Sequence, residues 1–320
     1  RKIGALKKLG ADTDRALLLA SYKPPPMDIG VLRKHERELI GSMVGEYKIN
    51  GLLGKGGMST VYAGIHPMID KRVAVKVIDV GPAHLQEAAD RFIAEAKAVN
   101  AIGHPNIIDI FSMGRLPDNT QYLIMEYLEG MDLTDYLGIA GSLTYREARA
   151  YFAQIISALK AAHNKGIVHR DLKPENIYLA HHPDGRFYVK LLDFGIAKFM
   201  QQGMNMSHTK TGIPMGTPLY MSPEQCAGKA VDHLTDIYAL GVILYEMFTG
   251  VVPFDSESLL AVLTRHMAEP PFPPSKLVEM PDQLEKVILW CLEKNPANRP
   301  QSMDVLGEAL LPLLDEIIGT

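Results

Sequence analysis

Cysteine is scarce in this chain: Cys226 and Cys291 are the only two in 320 residues. Their spacing fits no cysteine-based metal site, and they read as reduced thiols of a cytosolic compartment, with a pairing between them left open. A charge excess is missing as well. The 33 Lys and Arg stand against 37 Asp and Glu, a net charge of −4. This speaks against nucleic acid as a partner, which calls for a strongly basic face. No apolar run has membrane-spanning length. The best candidate, Tyr238–Tyr245, is short and stopped by Glu246, so it reads as a buried helix. Residues 15–20, Arg-Ala-Leu-Leu-Leu-Ala, are too few for a signal-peptide core. The chain opens on Arg1 rather than Met, which leaves an anchor outside these residues open. No internal repeat is visible.

What is present is a hydrophobic content of 47%, enough for one large domain or two lobes. Residues 1–45 are basic and contain the break Pro24-Pro-Pro26. They read as an N-terminal extension or linker with helices over 3–20 and 30–43, or as a segment that docks on the rest. From Tyr47 the pattern predicts strands over 47–53, 59–65 and 71–80. A helix over 85–101 follows, with Phe92, Ala96 and Val99 on one side, then strands over 106–116 and 121–127. Beyond Glu129 helices dominate: 132–138, 144–165, 222–226, 233–249, 256–267, 282–292 and 302–317.

Three stretches carry chemistry. Gly54-Lys-Gly-Gly-Met-Ser-Thr-Val61 lies between two predicted strands, where glycines let the backbone approach phosphates closely. Ser59 stands where a further glycine would complete the G-x-G-x-x-G pattern. A Rossmann turn is excluded because a strand, not a helix, follows. Val73-Ala-Val-Lys76 puts Lys76 and Ala74 on one face of a strand. His169-Arg-Asp-Leu-Lys-Pro-Glu-Asn176, followed by Asp193-Phe-Gly195, gathers a candidate base, a cation and two oxygen ligands suited to a hard metal. Adjacent His181 and His182 would point to opposite strand faces and make a poor metal pair.

These motifs resemble those of protein kinases. Gly56–Tyr62, Gly216–Gln225 and the Pro-rich 269–274 resemble the bacterial eukaryotic-like (Hanks-type, PknB-type) Ser/Thr kinases. The resemblance implies an α+β bilobal fold: a five-stranded antiparallel small lobe with one main helix (46–128) and a mainly helical large lobe (129–320). It implies an adenine slot of Leu53, Val61, Ala74, gatekeeper Met125, the Glu126 and Leu128 backbone, and floor residue Tyr178. Gly54, Gly56, Gly57 and Ser59 would cradle the phosphates, and Asp132 would take the ribose. Lys76 would hold the α- and β-phosphates, paired with Glu95 rather than Glu87. Asp171 would orient the hydroxyl, Lys173 would face the γ-phosphate, and Thr217 would bond to both. Asn176 and Asp193 would bind Mg²⁺, or Mn²⁺ in its place, with ATP. His169 would pack under Phe194, Asp236 would cap the catalytic-loop backbone, and Glu224 would pair with Arg299. Thr209 and Thr211, with Ser207 behind them, would accept phosphate in a segment from Asp193 to Glu224, answered by Arg170.

The implied function is transfer of the γ-phosphate of ATP to protein Ser/Thr hydroxyls, the chain itself included. A pseudokinase scaffold and a small-molecule kinase are the alternatives. The first usually lacks one of the residues that Lys76, Asp171 and Asp193 supply here; the second seldom carries the Gly-Thr-Pro turn at 216–218. Protein substrates follow from the resemblance. A homodimer through the back of the small lobe is left open, as is a cytoplasmic place, free or beside a membrane tether outside this chain.

Overall fold

The computed structural model describes residues 34–56, 59–78, 96–182, 184–194 and 218–319, with Leu19, Tyr22, Gly30, Leu32 and Ile93. Glu95, Gly57, Thr217, Ser207, Thr209 and Thr211, all singled out above, lie outside the described residues.

Alternating apolar residues from Tyr47 onward build a six-stranded antiparallel sheet in the order β1-β2-β3-β4-β6-β5. Its members are β1 (Met43–Val44), β2 (Tyr47–Lys55), β3 (Ser59–Ile65), β4 (Arg72–Ile78), β5 (Ile110–Arg115) and β6 (Gln121–Glu126). β1 was not among the five strands expected. It comes from residues assigned to the extension, where a helix over 30–43 was expected and the described residues form the shorter α1 (Lys34–Glu38). The chain turns at Gly41 and Gly45, both at positive φ. Val44 and Leu32 then bury against Ile49, Tyr62, Val73, Val75 and Ile124 on one sheet face. Leu32 and Val44 thus contribute to the core on this sheet face.

The expected strand 106–116 begins only at Ile110. Asn106–Ile108 bonds elsewhere: the Leu191 amide donates to the Asn106 carbonyl at 2.8 Å, and the Ile108 amide to the Leu191 carbonyl at 3.0 Å. This crossing ties the two lobes by backbone hydrogen bonds.

The large lobe opens with a second sheet that the sequence reading did not foresee, β7 (Gly130–Asp132), β8 (Ile177–His181) and β9 (Phe187–Leu191). Gly130 is required there. At φ +149°, an added Cβ would lie 2.0 Å from the Leu179 carbonyl oxygen. The helices follow the sequence reading closely: α2 (Leu133–Ala140), α3 (Tyr145–Asn164), α4 (Pro223–Cys226), α5 (Leu234–Thr249), α6 (Leu259–Ala268), α7 (Asp282–Cys291) and α8 (Met303–Gly319). α3 starts on a Thr144–Glu147 capping box. α5 is apolar all round and is buried everywhere except at Glu246 and Thr249, as a central core helix must be. One continuous core runs from Ile78, Val99, Ile102 and Leu123 in the small lobe to Phe152, Leu240 and Leu310 in the large one. Both cysteines are free thiols.

Candidate active site

Two elements bring the glycine motif and Lys76 together. In the β2–β3 hairpin, Gly54 stands opposite Val61, and Val61 stands opposite Lys76 on β4. Ala74 lies opposite Met125 on β6. Lys76, Ala74 and Met125 thus share the neighbourhood expected of an adenine and phosphate slot, with Ala74 and Lys76 each 6% exposed. Leu53 is exposed on the rim, and Ser59, Val61, Leu128 and Tyr178 are half-buried.

The Lys76 ammonium pairs directly with the Asp193 carboxylate, across 117 residues of sequence. Asp193 adopts φ +51° and Arg170 φ +62°. Both are left-handed conformations that cost free energy and are held by the surrounding packing. The device that holds the second is visible: Asp236, fully buried on α5, accepts from the His169 amide at 2.8 Å and the Arg170 amide at 2.9 Å. His163 Nε2 lies 2.8 Å from the same carboxylate. His169 is buried, its ring 4.5 Å from that of Phe194, with Nε2 at 2.9 Å from the Leu192 carbonyl oxygen. Burial pushes the His169 pKa down despite neighbouring carboxylates. A buried neutral ring fits a packing role.

Asp171, Lys173 and Asn176 converge at the cleft. Lys173 Nζ lies 3.2 Å from Asp171 Oδ2. Asn176 Nδ2 donates to the Asp171 carbonyl at 2.7 Å and to its carboxylate at 3.3 Å. With its amide nitrogen committed this way, the amide oxygen is the Asn176 atom that could serve as a metal ligand. No group of three or more His, Cys, Asp and Glu converges among the described residues. A single carboxylate beside an amide oxygen suits a small hard cation that takes its remaining ligands from phosphates and water. His182 is exposed and pairs with Asp184, and His181 lies against Phe187, so neither is brought to the cleft.

At the far end, Asp132 caps α2 by accepting from the Asp135 amide at 2.9 Å. Burial raises its pKa. Tyr22 reaches the same corner, its hydroxyl donating to Asp135 Oδ2 at 2.6 Å. Burial raises the Tyr178 pKa, helped by Tyr127, Asp132 and Tyr22. The Glu126 side chain pairs with Lys190 of β9 and accepts from the Asp109 amide at 2.9 Å. Tyr22 and Lys190 gave no sequence signal, because each meets its partner only through the tertiary fold.

Glu224 and Arg299 form a two-pronged buried pair, both contacts 2.8 Å, and the Thr235 hydroxyl donates to the same carboxylate at 2.7 Å. It fastens the end of the segment that begins at Asp193.

Comparison with known proteins gives a consistent answer. Residues 47–311 match the model described as "Protein kinase domain". Serine/threonine-protein kinase Pkn1 of Myxococcus xanthus is 45% identical over 282 residues, which is 87% of this chain and 40% of that protein. Serine/threonine-protein kinase PrkC of Bacillus subtilis is 37% identical over 268 residues, 83% of this chain and 40% of that one. The chain thus spans about two fifths of these curated relatives. Among solved structures, the Mycobacterium tuberculosis PknI kinase domain superposes with a TM-score of 0.66 at 27% identity, covering 85% of this chain and 97% of that one. With the lobes, the cleft and these likenesses in agreement, the chain belongs to the protein kinase domain family.

Proposed function

We propose that this chain is the catalytic domain of an ATP-dependent protein kinase that phosphorylates Ser and Thr of proteins, its own activation segment included. The observation that carries the reading is the convergence of Asp171, Lys173 and Asn176 below a Lys76–Asp193 pair supplied by the two lobes. Asp171 orients the acceptor hydroxyl and takes its proton as the oxygen bonds to the γ-phosphorus. The bond to the bridging β-oxygen breaks and ADP leaves. Lys173 and Lys76 neutralise phosphate charge. Asn176 and Asp193 would hold Mg²⁺, with Mn²⁺ as substitute, which would supply positive charge to offset that of the phosphates. Leu53, Val61, Ala74, Met125 and Tyr178 enclose the adenine, the Glu126 and Leu128 backbone pairs with its edge, and Asp132 receives the ribose. Glu95, Gly57 and Thr217 complete the set, with Thr209 and Thr211 as phosphate acceptors.

Residues 32–128 form the small lobe and 129–319 the large one in this reading. No helix among the described residues is long and apolar enough to cross a membrane. The domain works in the cytoplasm, free or tethered by segments outside this chain, and a homodimer remains compatible with it.

The purified chain with Mg-ATP and a generic protein substrate, read by phosphopeptide mass spectrometry, tests this. Phosphate on Ser or Thr in the parent, absent in Lys76→Met and in an Asp171→Asn variant that still binds ATP, is the expected outcome. ATP binding without any transfer by the parent would instead favour a pseudokinase scaffold.

A further inference from the structure

Glu36 lies outside the stretch that matches the kinase model, residues 47–311, and no motif includes it. Its carboxylate is nevertheless buried, the residue being 6% exposed. The reason is its place behind the glycine hairpin. The last pair of the β2–β3 ladder is Lys55 opposite Thr60. Both members of that pair reach Glu36. Lys55 Nζ lies 2.6 Å from Glu36 Oε2, and the Thr60 hydroxyl donates to Oε1 at 3.2 Å. Two residues on, the Tyr62 hydroxyl donates to the Glu36 carbonyl at 3.1 Å.

Helix α1 is itself fixed. Leu32 is 3% exposed in the small-lobe core. Arg37 donates from Nε to the Leu32 carbonyl at 2.9 Å and from a terminal nitrogen to the Gly30 carbonyl at 2.8 Å. The carboxylate is therefore presented by a packed scaffold and bonded to a cation and a hydroxyl, the strong class of hydrogen bond. Successive residues of a strand face opposite sides. Thr60 and Tyr62 face Glu36, so Val61 between them faces the cleft. Glu36 acts from the back of the hairpin and touches no nucleotide.

We propose that Glu36 is a positioning residue for phosphate binding: through Lys55 and Thr60 it fixes the last pair of the hairpin, and so the placement of the glycine turn over the phosphates. A turn ordered before ATP arrives needs less ordering on binding, and that lowers KM. The proposal rests on the kinase reading of the cleft. Loss of the tie acts on nucleotide binding more than on the transfer step, because Asp171 and Lys173 belong to the other lobe.

The test is steady-state kinetics with Mg-ATP and a generic protein substrate, alongside thermal unfolding, for Glu36→Gln, Lys55→Met and the double variant. Each single variant is expected to raise KM for ATP roughly three- to tenfold, about the effect of losing one net hydrogen bond. The expected kcat stays within about twofold of the parent, and the double variant is no worse than the worse single one, as a shared contact requires. An unchanged KM in either single variant overturns the proposal. So does a fall in kcat that merely tracks a lower unfolding midpoint, since that marks a structural role alone. Should Glu36→Gln fail to fold, Lys55→Met decides by the same criterion, its side chain being 24% exposed and its removal tolerable. An inactive parent would count against the kinase reading instead.

Discussion

At Arg299 the guanidinium is 1% exposed, so its charge depends on the Glu224 carboxylate that meets both of its terminal nitrogens. Removing one partner of such a pair leaves a bare buried charge. Glu224→Gln should therefore lower unfolding free energy by about 3–5 kcal/mol in urea titration. Burial alone would raise the Glu224 carboxyl, but the Arg299 and Thr235 contacts outweigh it and bring it down to about 2. The unfolded state then binds more protons between pH 4.5 and 2, and stability falls as pH drops through that window. His266 acts earlier. Burial, helped by the nearby Lys294 charge, lowers its pKa from 6.5 to about 3. Stability is thus lost as pH falls below 6.5, and His266→Gln should flatten the slope between pH 6.5 and 4.5, before Glu224 contributes. An unaltered slope in that range would refute this assignment. The Glu224–Arg299 pair, the Asp236 cap and the packing of His169 on Phe194 were expected from the resemblance to protein kinases, not from the residues alone, and the structure shows all three contacts. The Glu36–Lys55, Glu126–Lys190 and Tyr22–Asp135 contacts were not expected. Their partners stand 19, 64 and 113 residues apart, and each residue alone resembles a solvated polar group.

Among the elements, α5 has the clearest consequence for the site, because its Asp236 holds Arg170 at positive φ beside the catalytic loop. Asp236→Asn keeps the volume but turns one acceptor oxygen into a donor facing backbone amides. Small displacements of a reacting group are costly, so kcat should fall about 10- to 100-fold with little change in KM for ATP. Equal losses in both parameters would argue against this route. On β7, Gly130→Ala would force a Cβ against the Leu179 carbonyl and should cost about 3 kcal/mol or more in stability. Element type was legible where periodicity ran long, as in α3, or where an apolar run was long, as in α5. It failed in short pieces. The three-residue β7 has no period to read, and the apolar pair Ile107-Ile108 before β5 reads as strand, yet its stretch bonds across to β9. Likewise α1 stops at Glu38 although the apolar pattern continues, since the chain beyond it joins the sheet.

Across the whole molecule, one core runs through both lobes, and Asn106–Ile108 and the Glu126–Lys190 pair add polar ties between them. The lobes should therefore unfold together. Trp290 is the single tryptophan and sits in the large lobe, so its fluorescence and far-UV circular dichroism should trace the same urea transition. Two separated transitions would show that the lobes fold independently. The sequence by itself determined the family and most of the longer helices and strands, and it singled out Lys76, Asp171, Asn176 and Asp193 as candidate site residues. Those are local matters: spacing within a loop and periodicity within an element. Only the tertiary structure decided that Lys76 meets Asp193, that Glu126 ties to Lys190, and that Glu36 meets Lys55 and Thr60. Such pairings arise where distant segments are buried against one another, and burial is a property of the folded chain rather than of any stretch of it.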